Sequence, residues 1–533
     1  MNRRSSYQVS ARQGRPVASG AWKVAVVASI AAWIGACLAP DAQQGKTPGA
    51  TASSGGTPGA TGSGAGAGGG GQGGAGGGGG ASSLVSAVWL NPYGNGSVQS
   101  ARVMTADAEG NAIVAGVYAY EEIMTGGMML PAANEEDTFV AKLSPDGAVL
   151  WSRNIGGAGN QTVNRVAVDP KDGSIVVAGG FTQSLDVMGC ASIQNPGASD
   201  VFIVKLSSDD GSCAWSRAFG DGWDQSAFSV AVDAAQNIVL TGTFTGTLDF
   251  GQPTAPLTIV DDPMVNGDFA EIFVARLDKD GKPLGSRAIG DAPFNPAEIT
   301  LGLTVDTSND VLITGAFEGA LAMTSEPIYN EGPLDLFLAK LTGDSLQSVW
   351  WHTSGDKDKI QVGRQVVADA SNNIYFGGYF ASDIKLGGGV IKAGPDLDAF
   401  IAAIDPSGTL IWGKRIGGIG GQDVVSLAID GNEDLLLGGS FNGVLDFDDG
   451  GTLIGSDVMP GQTLDAFIAK LRPDGERIWS FQGTGLESQY TLAVAPAPNG
   501  VYAAGWIQNT ATFGAQSVTS AGAEDAFVLK LTD

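Results

Sequence analysis

The chain has 533 residues, of which 81 are Gly, three are Cys and one, His352, is histidine. Charged residues make up 16%, below the roughly 25% usual for soluble domains. So much glycine argues against helical architecture, three Cys cannot form a disulfide framework, and one His excludes a multi-His metal site. The net charge is −27. Arg3, Arg4, Arg12, Arg15 and Lys23 are the only charged side chains before residue 37, leaving 24 basic against 56 acidic ones in the remainder. Such a surface repels phosphate backbones, so nucleic acid is not an expected partner.

The basic N-terminal segment leads into an apolar run, Val24 to Ile34. It is shorter than the about 20 residues a membrane-spanning helix needs but suits the core of a signal peptide. It ends in Ile34-Gly35-Ala36-Cys37, which resembles a bacterial lipobox. The resemblance implies that 1–36 is a lipoprotein signal peptide and that Cys37 carries the lipid; an ordinary signal peptide with an incidental Cys is the alternative. Leu38 stands where inner-membrane lipoproteins of the enterobacterial pattern carry Asp, so the expected address is the outer membrane or cell surface. Residues 41–83 hold 19 Gly and no aromatic residue, Val, Leu or Ile. Such a segment buries too little to offset its ordering entropy, and 37–83 reads as a disordered tether behind the lipidated Cys.

From residue 84 onward one unit recurs seven times. Its signature is Asp-x-Phe followed by Lys/Arg-Leu, with Phe139, Phe202, Phe273, Phe337, Phe400, Phe467 and Phe527 spaced 60 to 71 residues apart. Each unit reads as four short strands. The first is Val-Ala-Val-Asp-like (Val230 to Asp233), the second ends in Gly-x-Phe (Gly242, Phe244), and the third is the signature. The fourth carries Trp with Gly five residues on (Trp151 and Gly156, Trp215 and Gly220, Trp412 and Gly417). Asp-x-x-x-Asn and Pro-Asp-Gly between strands are tight-turn chemistry. No helical period is present, and the strands are apolar on both faces, as in sheets stacked against sheets. The reading is all-β: a seven-bladed β-propeller of four-stranded antiparallel blades over 84–533. The last unit stops after its third strand, while Trp89 and Gly94 open the domain with a fourth-strand signature. The N-terminal strand is therefore expected to pair with 525–531 and close the ring.

Asp-Ala-Phe-Ile-Ala-Lys-Leu (465–471), Pro473-Asp474-Gly475 and Trp479, with the Val-Ala-Val-Asp and Gly-x-Phe-x-x-x-x-Asp-Phe strands, resemble the repeats of bacterial SBBP-type β-propeller lipoproteins. The resemblance spans all seven units and implies an extracytoplasmic protein; it supplies no catalytic residue. Gly285 replaces the Trp, Glu271 the Asp, and Ala495 the first-strand Asp.

Other patterns read as blade construction. Ser144 to Trp151 resembles the sialidase Asp box with Gly misplaced, and Asp405 to Trp412 resembles the tryptophan-docking repeat of quinoprotein propellers. His352, beside Trp351, falls on an outermost strand. Cys190 and Cys213 flank the third strand of the second unit; in an oxidising compartment they are either a disulfide or two separate thiols.

No catalytic residue and no resident metal is expected, calcium being the cation that acidic loops would admit. The first-to-second-strand spacing is nearly constant, whereas the second-to-third-strand connections of units 3 and 6 are longest and acidic. Asp261, Asp262, Asp268, Asp446, Asp448, Asp449 and Asp457 in them are the expected contact surface for a cation or basic partner. The expected function is a monomeric, membrane-anchored binding or scaffolding module for an envelope or extracellular protein or glycan, touching the membrane through its lipid only. The alternatives are a carbohydrate-active hydrolase using loop carboxylates and an accessory lipoprotein of envelope assembly.

Overall fold

The computed structural model describes residues 85–94, 97–259, 270–290, 298–456 and 463–533, and among these all helical and strand structure is strand. Within each repeat the strands pair into a four-stranded antiparallel unit. In the sixth, Gln422–Ile429, Leu435–Phe441, Asp465–Leu471 and Arg477–Gly485 pair in chain order. In the seventh, Gln489–Ala497, Gly500–Ile507 and Asp525–Thr532 are completed by the N-terminal strand Ala87–Tyr93, which runs from Ala87↔Leu531 to Tyr93↔Ala526. The first strands of successive units pack on one another, and the seventh packs on the first. This is β-propeller architecture, and the pairing itself carries it.

The recurring motifs have local causes. Each first strand carries one extra residue, a β-bulge, between residues 101 and 103 in unit 1 and at the equivalent place in every other unit. Opposite each bulge stands a glycine, that of Gly-x-Phe in units 2 to 6 and Gly116 and Gly505 in units 1 and 7, where a Cβ would fall under 3.0 Å from the first strand's carbonyl oxygen. In units 1 and 3 the Phe of Asp-x-Phe pairs directly with that glycine. The Trp-plus-five glycine has a different neighbour. At Gly94, Gly156, Gly220, Gly355 and Gly417 a Cβ would overlap the carboxylate of the Asp-x-Phe aspartate. The third-strand Lys or Arg pairs with the first-strand Asp at 2.7–3.3 Å in five units (Lys142–Asp107, Lys205–Asp169, Arg276–Asp233, Lys340–Asp306, Lys470–Asp430).

The units are joined by the outer-strand tryptophans. Trp89, Trp151, Trp215, Trp350 and Trp412 each donate Nε1–H to a carbonyl in the third-to-fourth-strand turn of the next unit, at 2.9–3.2 Å. Trp479 donates to the Asp533 side chain at 2.7 Å. Unit 3 has Gly285 instead, and Arg287 takes over, donating to Leu346 O at 2.8 Å and Ser348 Oγ at 3.1 Å of unit 4. Where Ala495 replaces the Asp, Lys530 donates to Pro145 O at 3.0 Å.

One expectation is corrected. The second-to-third-strand connections are not simple loops. Most hold a two-stranded ribbon, such as Val444–Asp446 with Thr452–Ile454 and Thr510–Phe513 with Gln516–Thr519. Three of these segments pair with the outer strand of the preceding unit, Gly417↔Asp446, Gly483↔Phe513 and Ile155↔Val187. Phe250, Phe447 and Phe513, from the Asp-Phe or equivalent position, hold them down by burial in the core.

Candidate functional site

Two features stand out beyond the scaffold: the axis on which the first strands converge, and the face that carries the unit-to-unit connections. Each first strand has a neighbour on both sides and a paired edge, so its remaining edge faces the axis. The bulge lies on that edge and leaves its extra residue half-buried: Arg102, Asn164, Phe228, Leu301, Arg364, Val425 and Leu492. Arg102 reaches Glu136 at 3.4 Å, and Arg364 pairs with Asp423 at 2.9 Å and lies over the Tyr379 ring. Burial outweighs Arg364 at Asp423 and holds that carboxyl above the usual range.

Arg165 follows the bulge of unit 2 and crosses the axis. Its Nε donates to Ser229 Oγ of unit 3 at 3.2 Å; its Nη2 donates to Leu301 O of unit 4 at 3.3 Å and to Gln365 Oε1 of unit 5. These partners are neutral, and burial pushes the guanidinium down to about 10. A close approach assists the crossing: a Cβ at Gly302 would meet Gln365 Cα at 2.9 Å.

The connections from each fourth strand to the next first strand emerge on one face, because the strands are antiparallel. They carry large apolar side chains in solvent: Val98, Ile419, Trp223 at 58% and Leu486 at 83% exposure. Beside Leu486 is an open pocket of about 360 Å³ lined by Glu487, Gln508, Asn509, Ser520, Gly522 and Ala523.

The sequence candidates fall unevenly. Cys37, Asp261, Asp262, Asp268 and Asp457 lie outside the described residues. Asp446 and Asp449 accept from the backbone N–H groups of Asp448 and Gly451 at 2.9 and 2.8 Å within the ribbon turn, and Asp449 pairs with Arg477 at 3.1 Å. Asp448 and Asp449 are exposed at the turn. Among the described residues no three His, Cys, Asp or Glu side chains gather as a metal would require. Cys190 and Cys213 are joined as a disulfide with Cα atoms 5.8 Å apart. His352 is half-buried on the outer strand Ser348–Ser354, its Nε2 2.6 Å from Gly408 O, and burial lowers its pKa. It belongs to the joint between units 4 and 5. Sequence reasoning missed Arg165, and no motif marks it.

No protein-family model matches the chain. An uncharacterized WD repeat-containing protein, L264, of Acanthamoeba polyphaga mimivirus is 23% identical over 365 residues, 58% of this chain and 26% of that protein. The chain thus spans about a quarter of the length of that curated relative. Among solved structures, the WD40 β-propeller domain of Doa1 is 11% identical, with 84% of this chain and 98% of that one covered and a TM-score of 0.37. The quinohemoprotein alcohol dehydrogenase of Comamonas testosteroni is 11% identical, with 84% and 76% covered and a TM-score of 0.38. At such scores the likeness adds nothing to what the strand pairing establishes.

Proposed function

We propose that the chain is a seven-bladed propeller, closed by the strand Ala87–Tyr93, that works as a non-catalytic binding or scaffolding module of the SBBP-type lipoprotein kind. It is held at the cell envelope through a lipid on Cys37. The observation that carries the binding role is the set of solvent-exposed apolar side chains on the unit-to-unit connections, Val98, Trp223, Ile419 and Leu486. Large apolar groups held in water on one face of a rigid scaffold favour a protein or glycan partner. The acidic connections emerge on the same face, and the ribbons clamped across the seams favour the apolar side chains over them as the main contact surface.

The test is capture from solubilised envelope by the purified protein. Trp223→Ser with Leu486→Ser is expected to abolish capture and leave the melting temperature nearly unchanged. Capture surviving the double change refutes the assignment of the face. Membrane anchoring is tested separately: Cys37→Ser should release the protein from the membrane fraction, and unchanged association refutes lipidation.

A further inference from the structure

We propose that the propeller axis holds a binding site for one small organic carboxylate, with Arg165 as its anchor. A guanidinium offers five N–H donors in a planar fork. The bonds Arg165 makes come from Nε and Nη2 and end on a hydroxyl, a carbonyl and an amide oxygen, none of them charged. The Nη1 edge takes no part in them. The cation therefore crosses the axis with no acidic side chain among the described residues to balance it. On the adjoining first strand, Arg102 directs Nη2 to Glu136 but leaves a buried Nη1 without a hydrogen-bond partner. Two guanidinium edges on neighbouring strands thus remain available to an acceptor.

The chemistry of that acceptor follows from charge, shape and lining. A single negative charge balances Arg165, since Arg102 and Arg364 already face Glu136 and Asp423. With Nε and Nη2 engaged, the N–H groups of Nη1 are what Arg165 offers, and a carboxylate accepts there through charge-assisted bonds. Phe228, Val425 and Leu492 are half-buried at the same level of the other first strands and suit an apolar body behind the carboxylate. The bulges lie in the first half of each first strand, the half nearer the unit-to-unit connections, so the ligand enters from that face. The site stands independently of the partner proposed for the face itself.

The experiment is equilibrium dialysis of the purified protein against radiolabelled benzoate at constant ionic strength, with inorganic phosphate as competitor. Saturable uptake of one benzoate per chain is expected, insensitive to phosphate. Arg165→Met should abolish it. Arg165→Lys keeps the charge but not the bonds that hold the cation across the axis and should weaken binding by about tenfold or more, which carries the test if the methionine variant fails to fold. Gln365→Leu frees one N–H of Nη2, the other staying on Leu301 O, and should bind at least as tightly as the parent. Absence of saturable uptake by the parent, unaltered uptake in either Arg165 variant, or displacement by phosphate overturns the proposal.

Discussion

Removal of the first strand is the sharpest test of ring closure. Tyr93 is 2% exposed and packs beside Phe139. Trp89 donates to Pro145 O at 3.2 Å, and its ring covers Gly147 in the same turn. Asn91 Nδ2 donates to Gly147 O at 2.8 Å. Losing a buried aromatic costs about 3–5 kcal/mol, which Tyr93 alone accounts for before half-buried Trp89 or any ladder hydrogen bond is counted. That approaches the lower end of the about 5–15 kcal/mol that separates a folded domain from its unfolded chain. A chain starting at Leu84 should therefore melt as the full-length protein does. One starting at Gly96 should show a lower, broader transition by circular dichroism, with the Asp525–Thr532 edge unpaired. The point variants Trp89→Ala and Tyr93→Ala, made in the full chain, should each lower the melting temperature by part of that loss. Coincident melting curves for the two truncated chains would refute the closure.

Three further outcomes follow from the same packing. Gly242→Ala places a Cβ under 3.0 Å from Ser226 O and should cost about 1–3 kcal/mol or more. Gly285→Ala meets nothing within 4 Å and should stay within about 0.5 kcal/mol; equal chemical-denaturation midpoints for the two variants would contradict the bulge seat. Burial pushes the Asp137 carboxyl up to about 7, with the hydrogen bond from Asn154 opposing it. The folded state then holds a proton that the unfolded chain has released, so this group's stability is present below about pH 4 and is lost as pH rises through 7. Asp137→Asn keeps an acceptor for Asn154, and its stability relative to the parent should rise between pH 4 and pH 8; parallel melting profiles would refute this. The Cys190–Cys213 bond closes 23 residues of chain and should contribute about 3 kcal/mol on the chain-entropy account. Linked peptides in a non-reduced digest and a lower melting temperature after reduction are expected, whereas alkylation of both thiols without reductant rules the bond out.

The scaffold was legible because its causes lie within one repeat. Gly242 and Phe273 face each other across two adjacent strands, Gly220 gives way to Asp200, and both steric demands recur at nearly fixed spacing in sequence. The ribbons were missed although their signal was present: Asp249-Phe250 and Asp446-Phe447 follow Gly-x-Phe at constant distance, and the Phe is buried in each. Exposed turn residues such as Asp448 and Asp449 drew attention instead. The axial site had no signal of that kind. Arg165 and Gln365 are 200 residues apart, and each reaches the axis through a bulge that alternation alone places on the wrong side. A long-range pairing of one Arg with one Gln, present once, leaves no periodic trace.

The tryptophan joints also have a direction. Each joint runs forward, an outer-strand side chain of one unit (an indole, or Arg287 in unit 3) donating to the next, so the joints are head-to-tail rather than self-complementary. A head-to-tail joint has two fates: it closes on itself after a fixed number of steps, or it grows without end. In this chain the last handover is made by a strand that precedes the first unit in sequence, which seats Trp89 on the unit 1 turn and covers the Asp525–Thr532 edge, so neither that turn nor that edge stands vacant. Cutting that strand away leaves both, one at each end of the same chain. No truncated copy carries the strand that would complete another, so the missing strand added as a free peptide should seat its indole on the unit 1 turn, cover the Asp525–Thr532 edge and restore the melting transition.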